Sequence, residues 1–88
     1  MAWTIELIPA ARKELKKLGR AEAARIVGTL ETRIAARHDP RELGTALGGE
    51  LSGLWRWRIG AYRVVARIED ERITILVVRV AHRREVYR

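Results

Sequence analysis

Cysteine is absent, which removes disulfides, thiolate nucleophiles and the usual thiolate ligands of zinc in one step and fits a reducing, cytoplasmic setting. Long apolar runs are absent too. The longest, Ile75 to Val78, is far too short to cross a bilayer, so no membrane partner is expected. Met1 to Leu7 holds no basic stretch followed by a long apolar one, the pattern of a secretory signal. The two histidines, His38 and His82, lie far apart with no thiol partners, so neither a metal site nor a cofactor is expected. His38 suits a helix end, where its charge would complement the dipole. No repeat, linker or low-complexity stretch divides the chain, and 88 residues suffice for one domain, 1–88.

What is present is hydrophobic residues at 48%, enough for one shared core, and a net charge of +7. A cationic chain points to polyanionic partners. The charge is unevenly spread. Residues 1–50 carry nine Lys or Arg against seven acids, whereas residues 51–88 carry nine Arg against four acids and no Lys at all. Arginine presents a planar fork that matches pairs of phosphate oxygens, and lysine only a point charge.

Trp3, Ile5 and Leu7 alternate with Thr4 and Glu6 and predict a short half-buried strand. Pro9 suits the first turn of a helix running to Leu18, with Gly19 as its C-cap. A second helix is expected from Arg20 to Arg37, burying Ala23, Ile26, Val27, Leu30 and Ile34, and Asp39-Pro40 ends it. The glycines between Arg41 and Gly53 favour a connecting loop whose leucines dock on the core. Beyond it the period changes to two, giving strands Leu54–Ile59, Tyr62–Ile68 and Ile73–Arg83, the first pair joined by Gly60-Ala61. The expected fold class is α+β, in the order β-α-α-β-β-β, with two helices packed on one face of a four-stranded, mainly antiparallel sheet.

A two-residue loop at Gly60-Ala61 sets Arg58 opposite Arg63, Trp57 opposite Val64, Arg56 opposite Val65 and Trp55 opposite Ala66. Trp55, Trp57, Ile59, Tyr62, Val64, Ala66 and Ile68 then share the side beneath the helices, and Arg56, Arg58, Arg63 and Arg67 share the other. Arg79 and Arg83 of the last strand join that surface if their parity faces outward. Like charges placed opposite one another in a sheet are destabilising by up to about 1 kcal/mol per pair. A sequence keeps such a conflict mostly where function requires it, so phosphate binding is the expected use of this face. Tyr87, near the C-terminus, can lie over an exposed base.

The segment Leu54-Trp55-Arg56-Trp57-Arg58-Ile59-Gly60-Ala61-Tyr62-Arg63-Val64-Val65 resembles the signature hairpin of the RelE/ParE toxin superfamily. Val80-Ala81-His82-Arg83-Arg84-Glu85-Val86-Tyr87 resembles the C-terminal motif of its RelE branch of mRNA interferases. The resemblance implies a RelE-like fold and the toxin of a type II toxin–antitoxin system. The implied activity is that of an endoribonuclease, which cuts mRNA in the ribosomal A site and inhibits translation.

The implied reaction is attack by the RNA's own 2′-hydroxyl on the adjacent phosphate, without a metal. By position the resemblance gives Arg63 the phosphate and transition-state role. It gives Arg83 the leaving oxygen, Tyr87 the nucleotide being cut, and Arg56 and Arg58 the flanking phosphates, with Arg56 and His82 also among the catalytic candidates; Arg67 and Arg79, from the sheet face, and Arg84 are further expected phosphate contacts. Arginine is a poor proton acceptor, and His82 and Glu85 are the conventional bases nearby. The implied partners are a cognate antitoxin protein, mRNA with the ribosome and its rRNA, and operator DNA only through the antitoxin complex. Two alternatives stay open: a ParE-like inhibitor of DNA gyrase, and an RNA- or ribosome-binding module without catalysis.

Overall fold

A computed structural model describes residues 2–82. The chain runs β1 (Thr4–Leu7), α1 (Pro9–Lys17), α2 (Arg20–Thr29), β2 (Thr45–Ala46), β3 (Leu54–Ile59), β4 (Tyr62–Glu69) and β5 (Thr74–His82). The strands form one five-stranded sheet in the order β1-β5-β4-β3-β2, parallel only between β1 and β5. The fold class is the expected α+β. The sheet gains a fifth strand because Thr45 and Ala46 pair with Arg56 and Trp55 inside the segment expected to be a loop.

Pro9 occupies the first turn of α1, and Gly19, at φ 90, separates α1 from α2. The helical stretch after Arg20 departs from regular α geometry at Leu30–Ile34, where a π turn closes with Ala35 N–H donating to Leu30 O at 2.7 Å. Short 3-10 turns at Pro40–Leu43 and Gly49–Leu51 flank β2, and a third, Asp70–Arg72, joins β4 to β5.

The β3–β4 hairpin has the expected register, Arg58 opposite Arg63 through Trp55 opposite Ala66. Gly60 supplies the positive φ, 61°, that the first position of a type II′ turn requires. One side of the sheet is covered by the helices, and Ile26, Leu30, Trp57, Val64, Ile75, Val77 and Val80 are fully buried between the layers. Burying each such aliphatic side chain is worth about 1.5–3 kcal/mol. Trp57 is also anchored by polarity: its indole N–H donates to the buried carbonyl of Pro40 at 3.0 Å, seventeen positions away. That bond ties the segment leading into β2 to the core.

Strict alternation fails in β5. Val65 pairs with Arg79 but Ala66 pairs with Val77, so Val78 is an extra residue, a β-bulge. Ile75 and Val77 therefore face the helices together with Val80, while Arg79 faces away. Plain alternation along the last strand would put Ile75, Val77, Arg79 and Ala81 on one side; the inserted residue instead leaves Arg79 and Ala81 facing away from the helices and Ile75 and Val77 beneath them.

Candidate nucleic-acid interface

Residues directly opposite across strands share a face, so the pairing register lays out in rows the side of the sheet that the helices leave uncovered. Nearest the hairpin turn stand Arg58, Arg63 and Ala81. Next come Thr45, Arg56, Val65 and Arg79. Past the bulge lie Leu54, Arg67, Leu76 and Glu6, and finally Glu69, Thr74 and Thr4. The hairpin thus brings Arg56, Arg58, Arg63 and Arg67 to one face, and the bulge adds Arg79.

These arginines differ in how they are held. Arg58 and Arg67 are exposed, Arg56 and Arg79 are half-buried, and Arg63 is 8% exposed. Arg63 stands opposite Ala81, which with Val65 is buried against Leu47, Leu54 and Val78 in a small apolar patch. A largely buried side chain loses fewer conformations on binding than one on the free surface, and its charge acts in a lower dielectric.

Among the described residues, carboxylates reach this face at two places. Glu14 of α1 reaches the outer edge of β5, which β1 leaves open beyond Val77. It accepts Val80 N–H at 2.8 Å with one oxygen and Arg79 Nε at 3.4 Å with the other. The charge of Arg79 is therefore partly met by Glu14. At the end far from the hairpin turn, Arg72 donates to both oxygens of Glu6, at 3.0 and 2.9 Å, and also to Glu69. Hydrogen bonding to Glu6 raises the Arg72 pKa above its ordinary value. Among the described residues the carboxylates of this face thus stand at the edge of β5 and at the end far from the hairpin turn.

His82 is opposite Tyr62, and their rings meet edge to face with centroids 6.0 Å apart. Tyr62 packs against the main core, so His82 lies on the helix side of the sheet and not beside Arg63. Trp55 and Trp57 also pack into that core. Arg83, Arg84, Glu85 and Tyr87 lie outside the described residues. Sequence reasoning missed Glu14, although a lone acid among Arg12, Lys13, Lys16 and Lys17 was a signal that a specific partner holds it. It also missed the seat of Arg56 beside β2. Among the described residues no helix is long and apolar enough to cross a membrane.

A two-layer α+β fold with a cationic, uncovered sheet face is the architecture expected of a small RelE-like toxin. The chain belongs to the RelE/ParE toxin superfamily and is a toxin of a type II toxin–antitoxin system. Residues 5–87 match the family described as the ParE toxin of the type II system parDE. Toxin RelG of Mycobacterium tuberculosis is 34% identical over 88 residues, covering 100% of this chain and 99% of that protein. The toxin–antitoxin complex RelBE2 of the same organism contains a chain superposing with a TM-score of 0.85 at 32% identity, over 94% of this chain and 93% of that one. The isolated RelE toxin of E. coli superposes with a TM-score of 0.71 at 23% identity, over 98% and 92% of the two chains, a likeness of fold.

Proposed function

We propose that this toxin is an endoribonuclease of the cytoplasm that cuts mRNA in the ribosomal A site and so inhibits translation. The observation that carries the reading is the convergence of Arg56, Arg58 and Arg63, from adjacent antiparallel strands, on one uncovered face. The resemblance of the hairpin and of the C-terminal motif to RelE-type toxins supports the same assignment. RNA brings its own nucleophile. The 2′-oxygen forms a bond to the neighbouring phosphorus, the bond to the 5′-oxygen breaks, and the products are a 2′,3′-cyclic phosphate and a free 5′-hydroxyl. One proton leaves the 2′-hydroxyl and one reaches the leaving oxygen, so the exchange needs no metal.

In this scheme Arg63 holds the scissile phosphate and stabilises the charge that develops on it. Arg56 and Arg58 hold flanking phosphates, with Arg67, Arg79 and Arg84 along the strand's path. Arg83 assists the leaving oxygen and Tyr87 orients the nucleotide. His82, across the sheet from Arg63, would reach the phosphate only around the end of β5. A face this poor in bases acts slowly on free RNA, and the ribosome supplies the alignment, a contribution of about 7–11 kcal/mol in favourable cases. The protein partner is a cognate antitoxin, in keeping with the toxin–antitoxin complex of the 32%-identical relative, and operator DNA is met only through that complex.

Primer extension on a translated reporter message tests the proposal. Breaks at codon-defined positions that require translation, and that vanish with Arg63→Ala, are expected. The second reading, a gyrase inhibitor, is favoured by the ParE description of the matched family. Intact message with blocked supercoiling by purified gyrase would replace the first reading with the second.

A further inference from the structure

The outer edge of β3 is open beyond Arg56, because β2 pairs only through Thr45 and Ala46. At that edge lies a pocket of about 210 Å³ lined by Thr29, Arg33, Ile34, Leu43, Trp57 and Arg58. Its walls come from both layers. Thr29, Arg33 and Ile34 belong to α2 and the π turn, on the covered side of the sheet, whereas Arg58 faces the uncovered side opposite Arg63. The pocket therefore turns the corner of the sheet and continues the cationic face around its edge.

Three observations set this place apart from an ordinary solvated surface. No carboxylate lines it. Arg33 and Arg58 are exposed and, like Arg12, Arg20 and Arg67, make no ion pair among the described residues, but only these two of them share one pocket. Leu43, on its rim, is 45% exposed, and it is the large hydrophobic side chain left most open to water among the described residues. Two unneutralised guanidinium groups beside an apolar rim match a nucleotide, whose phosphate is anionic and whose ribose and base offer apolar faces.

We infer that this pocket binds a second phosphodiester of the same RNA, held between Arg33 and Arg58, with the attached nucleotide resting on Leu43. The inference builds on the proposed RNA-cutting function and extends it: the strand bends from the sheet face around the open edge of β3 towards α2. Arg33 is a binding residue here, remote from the reacting atoms.

The test is the salt dependence of binding to a short single-stranded RNA of uniform sequence, compared among the parent protein, Arg33→Ala, Arg33→Lys and Arg20→Ala. Each phosphate contact removed should make the slope of log affinity against log salt shallower by about 0.7. Arg33→Ala should show that change, with Arg33→Lys close to the parent. Arg20, exposed at the opposite end of the helical segment, serves as the charge control and should leave the slope unaltered. Equal losses in Arg20→Ala and Arg33→Ala, or a slope in Arg33→Ala equal to the parent's, would overturn the second contact. In that case loss of cleavage in Arg63→Ala would leave the proposed function standing. A parent protein with no salt-dependent affinity for RNA would overturn both.

Discussion

Replacing Trp57 by Phe should destabilise the protein far more than the same change at Trp55, although the two residues lie on one strand and one face. Trp57 is 1% exposed and its N–H is bonded to the buried Pro40 carbonyl at 3.0 Å. Phe cannot donate, so the carbonyl is left without its partner in an interior site, a cost of about 1–3 kcal/mol. The smaller ring leaves a void beside Gly44, where even a Cβ would stand 3.0 Å from the indole nitrogen, adding on the order of 1 kcal/mol. The sum, about 2–4 kcal/mol, is a large share of the roughly 4–13 kcal/mol available to a domain of this length. It corresponds to a fall in Tm of roughly 10–30 °C. Trp55 is half-buried, and the Arg41 guanidinium over its ring, 5.8 Å from the centroid, can face a Phe equally well. Trp55→Phe should therefore cost less than about 1 kcal/mol. Urea and thermal unfolding followed by circular dichroism measure both. A loss below about 1 kcal/mol for Trp57→Phe, or equal losses at the two positions, would refute the account of that hydrogen bond. Amide exchange in residues 41–46 should also accelerate in Trp57→Phe, because the bond anchors the approach to β2.

Arg63→Lys keeps the charge but loses the two-pronged geometry, and the rate of message cleavage should fall at least about tenfold in a quantitative primer-extension time course. Gly60→Ala forces a side chain into φ 61 and against the Arg25 guanidinium, 2.8 Å from the added carbon; a loss of about 1–2 kcal/mol in urea is expected. Glu14→Gln keeps an acceptor for Val80 N–H but removes the charge facing Arg79, whereas Glu14→Ala removes both. Unfolding should rank parent, Gln, Ala in decreasing stability, the last by about 1.5–3 kcal/mol. The Asp39 carboxylate accepts Arg41 N–H at 3.0 Å, and this bond lowers its pKa below the usual aspartate value. A lowered folded pKa stabilises the native state above the unfolded pKa and ceases to do so as pH falls through the folded value. Asp39→Asn should accordingly flatten the stability–pH curve below about pH 4 and leave its shape near neutrality unchanged, as read from urea midpoints across pH.

The hairpin was legible because two independent signals agree on it. Gly60-Ala61 fixes the turn, and the alternation of Trp and Ile with Arg on β3 assigns each parity to a face. The bulge was not legible, since Ile75-Leu76-Val77-Val78 is apolar at both parities and no position announces the inserted residue. That one residue decides the side of Arg79 and His82. The π turn at Leu30–Ile34 was hidden for a related reason: its buried Leu30 and Ile34 keep a spacing of four, which a regular helix shares. Strand β2 has only two residues, both exposed, amid glycines, and arises from what Trp57 and Pro40 hold next to it. The arginine-rich face could be read in advance; its long-range neutralisation by Glu14 could not, because 65 positions separate Glu14 from Arg79.

The inserted Val78 makes β5 a strand with two independent frames. Its first half obeys the packing of the helices, and its second half is phased to the arginines of β4. Deleting that single residue would leave Val77 followed directly by Arg79 in plain alternation, with Arg79 still opposite Val65; keeping Val78 but flattening the bulge would instead turn Arg79 towards the apolar layer and Val80 into water. The outward placing of Arg79 is thus held by one backbone irregularity as much as by the identity of the residue, and a strand straightened around an unchanged sequence would lose it with no arginine removed.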